Sequence, residues 1–245
     1  MKSRRAVTTI VISIVAALAI GIALSGCAST GLSQFGADIG KTDLPLVDPM
    51  RIPYTYTVKY FGYIKPGSSP DEDRDGKKFY YLYLWVPAVA PEIGVRMLSP
   101  VRDLTKPQKG DIISPFWEEG SKDTENYFDT YITFERSLDI TSVDDIEAKI
   151  GSTQWIQYDS NDDSSEMPPQ PSGSRYNSLL RIASSPSDPL KAIVLGLYRI
   201  GFTTFKVGEV QGTFYAEVGA PVNLPGTAIA KEVADLVKVL KGGAM

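Results

Sequence analysis

The chain of 245 residues contains no histidine and a single cysteine, Cys27. Without histidine there is no Ser-His-Asp or Cys-His catalysis, no ordinary zinc site, and none of the commonest general base. A lone cysteine forms no internal disulfide, so the fold has to stand on its apolar core. Positive charge is also short: 25 Lys and Arg stand against 29 Asp and Glu. Three of the basic residues (Lys2, Arg4 and Arg5) fall at the very start, which leaves 22 against 29 and a formal −7 on the rest. That balance argues against nucleic acid as a partner. With imidazole and thiolate gone, any bound metal must be a hard cation held by oxygen.

The basic start is followed by an apolar run from Ala6 to Leu24 and the small pair Ser25-Gly26 ahead of Cys27. This is the layout of a secretory signal, although the run is also close to the length of an uncleaved membrane helix. Leu24-Ser25-Gly26-Cys27 reads as a lipobox, in which the thiol receives diacylglycerol and the chain is cut ahead of it. Each buried methylene of such a lipid adds about 0.8 kcal/mol, so several acyl chains anchor stably where one is marginal. The expected organisation is a signal peptide at 1–26, a lipidated N-terminus and flexible tether at 27–53, and a single domain at 54–245. The tether assignment rests on its Gly, Ser, Asp and Pro content and lack of periodicity.

Segments 54–64, 79–89 and 127–136 are crowded with aromatic and β-branched side chains, which suit a pleated, half-buried surface. Further strands are expected at 93–98, 153–158, 176–183, 191–206 and 210–219, separated by turn chemistry such as Lys65-Pro66-Gly67. The expected class is mainly β, a sandwich with a few peripheral helices. Ser142-Val143-Asp144-Asp145 resembles a capping box opening a short helix that stops near Ile150. A C-terminal helix is expected from Ile229, Val233, Leu236, Val237 and Leu240 at helical spacing, with its apolar stripe packed on the domain.

Two acidic clusters are candidates for a cation. Asp71, Asp73 and Asp75, followed by Gly76, match the D-x-D-x-D-G opening of a calcium loop, but Leu82 stands where the bidentate Glu belongs. The plainer reading of that stretch is a charged hairpin connection. Asp159, Asp162 and Asp163 lie in a polar stretch that composition alone assigns to a solvated loop.

The blocks FGYIKPG (61–67), DGKKFYYLYLWVPAV (75–89), GVRMLSP (94–100), FDTYITFER (128–136), RYNSLLRI (175–182) and GLYRIGFTTFKVGEVQGTF (196–214) occur in one order. Together they resemble the major surface, outer-membrane lipoprotein family of pathogenic leptospires over roughly residues 58–220. The resemblance implies a jelly-roll-type β-sandwich, lipid-anchored in the outer membrane, that binds calcium, adheres to extracellular-matrix proteins and has no enzymatic activity. It places the calcium ligands on Asp129, Thr130, Asp162, Asp163 and Tyr176. Without it, Thr130 and Tyr176 read as ordinary strand packing. Neighbouring strand residues face opposite ways, so Thr130 is expected to offer its carbonyl, and Tyr176 likewise, because a neutral phenol is a poor calcium ligand. The chain departs from the family in its acidic loop, diluted to D-S-N-D-D, and after Pro225, where a short helix replaces a longer charged tail.

The function read from the sequence is therefore that of a calcium-binding, non-enzymatic surface lipoprotein, an adhesin or abundant surface component. A calcium-braced carbohydrate-binding module is the second reading, and a hydrolase using paired carboxylates the last. Expected partners are the membrane through the lipid on Cys27, matrix proteins or glycans, and a second copy of the chain as a homodimer.

Overall fold

Aromatic and aliphatic side chains recur at every second position of the longest strands, because successive residues of a pleated strand face opposite ways. The computed structural model describes residues 32, 34–38 and 51–243. Cys27, its lipobox, the leader and most of the expected tether lie outside these residues. Among the described residues no helix is long and apolar enough to cross a membrane. The described strands are β1 (Gly36–Asp38), β2 (Arg51–Pro53), β3 (Tyr56–Ile64), β4 (Glu72–Arg74), β5 (Lys77–Val86), β6 (Glu92–Leu98), β7 (Ile112–Ile113), β8 (Thr130–Ser137), β9 (Trp155–Asn161), β10 (Ser178–Ala183), β11 (Gly196–Thr204), β12 (Gly212–Ala220) and β13 (Ala228–Ala230). The described α-helices are α1 (Trp117–Gly120), α2 (Ile146–Lys149) and α3 (Val233–Leu240).

One sheet runs β10-β6-β12-β3-β7 and the other β13-β5-β11-β8-β9, with β4 also on β5. Numbered in chain order, the long strands (β3, β5, β6, β8, β9, β10, β11, β12) stand 6-3-8-1 in the first sheet and 2-7-4-5 in the second. Every consecutive pair except β8–β9 crosses from one sheet to the other, which is the wiring of a jelly roll. The expected fold class is therefore the observed one.

The core lies between the sheets. Tyr80, Leu82, Leu84 and Val86 of β5 and Tyr198, Ile200 and Phe202 of β11 belong to the same buried cluster as Ile93, Val95 and Met97 of β6 and Phe214, Ala216 and Val218 of β12. The rings of Phe202 and Phe214 join the two sheets at 4.8 Å. Each large apolar side chain buried there contributes about 1.5–3 kcal/mol. All residues of β11 and β12 are buried, because the outer faces are covered as well. Over the first sheet, Phe35 and Tyr54 from the β1–β2 ribbon cluster with Phe61, Leu98 and Tyr215. On the second, Ile140, Ile146, Leu236 and Val237 cover Trp85 and Leu197.

Four expectations change in detail. Part of the segment assigned to a flexible tether is structured: β1 pairs with β2, and Phe35 and Ala37 are buried. Ile229, expected on the C-terminal helix, lies in β13 opposite Leu84 of β5, where it occupies a sheet edge that would otherwise expose unpaired backbone. The helix begins at Val233 and buries Leu236 and Val237, as its spacing required. Ser142 does accept the Asp144 N–H, but the segment it caps divides into a 3-10 turn, Val143–Asp145, and α2. Finally, β8 begins at Thr130 and β10 at Ser178, which puts Asp129 and Tyr176 just ahead of their strands.

Candidate functional site

The antiparallel pairing of β8 with β9 sets Ile132 opposite Asn161, so the start of β8 and the acidic loop after β9 meet at one end of the sandwich. The segment leading into β10 closes the same corner. The Thr130 N–H donates to the Tyr176 carbonyl at 3.0 Å, and the Ser178 N–H donates to Thr130 Oγ1 at 2.8 Å. Ser178 Oγ bonds the Thr130 carbonyl and reaches the Asp162 carbonyl at 3.2 Å. Thr130 and Ser178 are fully buried. One serine thus ties together the segments carrying Asp129, Thr130, Asp162 and Tyr176. The Tyr176 carbonyl also lies 3.2 Å from the Thr130 hydroxyl, so the two backbone oxygens expected as ligands already accept hydrogen bonds.

Asp129 sits in this corner with Oδ1 buried and without a hydrogen-bond partner. Its carboxyl is pushed up to about 6, first by burial and then by the charges of Asp163 and Asp162, against the opposing pull of Lys206 and Lys77. Asp163 is raised in turn by burial and by Asp162. These three carboxylates therefore share one negative field. Among the described residues, however, no three acidic side chains converge as a ready-made metal group. Asp129 thus has a buried carboxylate oxygen without a partner and a charge opposed by Asp162 and Asp163.

A family model described as Lipl32, surface lipoprotein of Spirochaetales order, matches residues 48–229, most of the chain. The chain belongs to that family. No curated protein matches the chain significantly. Membership makes it a surface lipoprotein of the outer membrane, held there by lipid.

In this lipoprotein the first acidic cluster lies on a hairpin. Arg74 pairs with Lys77, leaving Asp75-Gly76 as a two-residue hairpin turn with φ of 53° and 79° at its two positions. That is the left-handed geometry hairpins select, and D-G supplies it. Asp73 Oδ1 accepts the Gly76 N–H at 3.0 Å. Asp71 accepts the Tyr81 N–H and pairs with Lys231, both at 2.8 Å. Asp71 and Asp73 thus hold the sheet edge and the turn, and the stretch forms the charged hairpin connection of its plainer reading.

Two residues that sequence reasoning passed over hold the corner together. Ser178 left a faint signal as a polar residue inside a strand of apolar ones. Gln170 left none: it lies in the stretch read as a solvated loop, yet it is 4% exposed. Its amide donates to the carbonyls of Phe128 at 2.6 Å and Ser99 at 2.9 Å, which pins the acidic loop beside Asp129.

Proposed function

We propose that this surface lipoprotein binds one calcium ion at Asp129, Asp162 and Asp163, and acts without enzymatic activity as an adhesin or abundant surface component toward extracellular-matrix ligands. The observation that carries the reading is Asp129, whose buried oxygen has no partner and whose charge is opposed by Asp162 and Asp163. A divalent ion offsets that repulsion and cross-links the loops that Ser178 already brings together. Thr130 and Tyr176 would add backbone oxygens through lone pairs their present hydrogen bonds leave over. Calcium suits such a set better than magnesium, because it accepts irregular cages of six to eight oxygens. The non-enzymatic reading is supported by the family and by the absence of histidine.

The deciding experiment compares two double variants. Asp162→Ala with Asp163→Ala should abolish calcium-dependent thermal stabilisation, whereas Asp73→Ala with Asp75→Ala should leave it nearly intact. At 100 times the dissociation constant a bound ion stabilises the fold by about 2.7 kcal/mol, readily seen as a melting shift. Loss of the shift in the hairpin variant alone would move the site to the first cluster. A panel of matrix proteins and glycans, probed with and without calcium, then tests the adhesion reading; binding to glycans alone would favour a carbohydrate-binding module.

A further inference from the structure

Among the described residues, the sandwich is incompletely closed along one flank. There β7 pairs with the outer edge of β3 at Tyr60 and Phe61, while β4 covers β5 at 77–79 and β13 covers it at 83–85. Between these edges lies a cavity of about 590 Å³, bounded also by the start of α3 and by α1. This is within the range of small-molecule sites. Its floor consists of side chains that are part of the core between the sheets, among them Tyr60, Ile64, Tyr80 and Phe214. A ligand that entered would touch apolar and aromatic surface. The cavity lies apart from the Asp129 corner, none of whose residues lines it.

The rim selects the charge of the occupant. Asp71, Glu119, Glu232 and Asp235 face the cavity together with Lys65, Lys231 and Lys238. Two of these lysines are engaged, Lys65 with Glu119 at 2.9 Å and Lys231 with Asp71 at 2.8 Å and Glu232 at 3.8 Å. The phenols inside report the resulting field. Tyr60 is pushed up to about 12, first by burial and further by the charges of Glu232 and Asp235, against a hydrogen bond from Ser114. Tyr80 is raised by burial and by the charges of Glu209, outside the lining, and of Asp71 on the rim. The four rim carboxylates outnumber the three lysines, so the mouth carries a net negative charge. Aromatic walls and a negative field together favour a cation with an apolar body.

We propose that this cavity binds a small amphiphilic cation, with its alkyl or aromatic body between the sheet edges and its ammonium group held at the mouth by Glu232 and Asp235. The test uses the compact unit Leu32–Met245, which contains the whole described core, in chelator. Calorimetry compares decyltrimethylammonium with decanoate, which has a ten-carbon chain and the opposite head charge, both well below micelle formation. Saturable one-to-one binding of the cation, about tenfold tighter than the carboxylate, is expected. Ser69→Trp, at an exposed position on the rim, should abolish binding of both. Glu232→Gln with Asp235→Asn should bring the cation down to the affinity of decanoate. No saturable binding of the cation, equal or tighter binding of decanoate, or unchanged binding by Ser69→Trp would each overturn the proposal, the last by showing adsorption elsewhere on an acidic surface.

Discussion

Asp129 is a carboxylate held where its charge is disfavoured, and this has a measurable sign. Its pKa of about 6 lies above the unperturbed 3.8, so in chelator the folded state binds this proton more tightly than the unfolded chain. On this account stability falls as pH rises through that window. Asp129→Asn removes the effect: in chelator the variant should be more stable than the parent at pH 7 and equal to it near pH 4, read as urea midpoints. In excess calcium the order should reverse. Parallel midpoints across the whole range would contradict the buried-charge reading. Glu135 shows the opposite case. Burial alone would raise its pKa, but the guanidiniums of Arg74 and Arg199 hold it below the usual carboxylate range. Arg199 donates to it at 2.7 Å while lying between the rings of Tyr81 and Trp155, at 4.0 and 4.2 Å. Glu135→Ala leaves both guanidiniums without this partner and should cost about 3–5 kcal/mol, seen in urea unfolding. A loss under 1 kcal/mol would show the cluster to be solvated. Neither residue's environment could be read from its neighbours in the chain, since the charged partners lie in distant segments.

At the scale of elements, the β1–β2 ribbon shows how a short segment is fixed by what it lies on. Tyr54 and Phe35 pack where β6 and β12 have glycine: a Cβ on Gly94 would stand 2.4 Å from Tyr54 Oη, and one on Gly219 would stand 2.3 Å from Tyr54 Cδ2. These glycines serve close approach, since neither has a positive φ. Gly219→Ala should therefore displace the ribbon and cost about 1–3 kcal/mol. Amide exchange of Gly36–Asp38 should speed up while β11 stays protected. Unchanged protection of the ribbon would mean that it does not depend on this contact. The long strands and the stripe of α3 were legible in the sequence because period 2 and period 3.6 need only a few turns of pattern to appear. β1, β4, β7, β13 and α1 span four residues or fewer, too short for any period, and only their partners create them.

At the scale of the whole molecule, anchorage is tested at Cys27. Cys27→Ala should leave the protein unprocessed or free of the membrane, and growth with labelled palmitate should leave that variant unlabelled. Label on the variant would defeat the lipobox assignment. The sequence by itself determined that the chain is an acidic, largely β lipoprotein without disulfide or imidazole chemistry, because those properties depend on composition and local pattern. Its blocks also pointed to the family that the match over residues 48–229 shows. Only the tertiary structure decided which acidic cluster stands near an orphaned carboxylate. Asp73 and Asp75 resemble a calcium loop in one dimension, but Asp73 caps a two-residue hairpin turn in which Asp75 stands. Asp129 and Asp163 are separated by more than thirty residues, yet they share a field because β8 pairs with β9 and Ser178 closes the corner. Electrostatic repulsion depends on distance through space, which the order of residues along the chain does not carry.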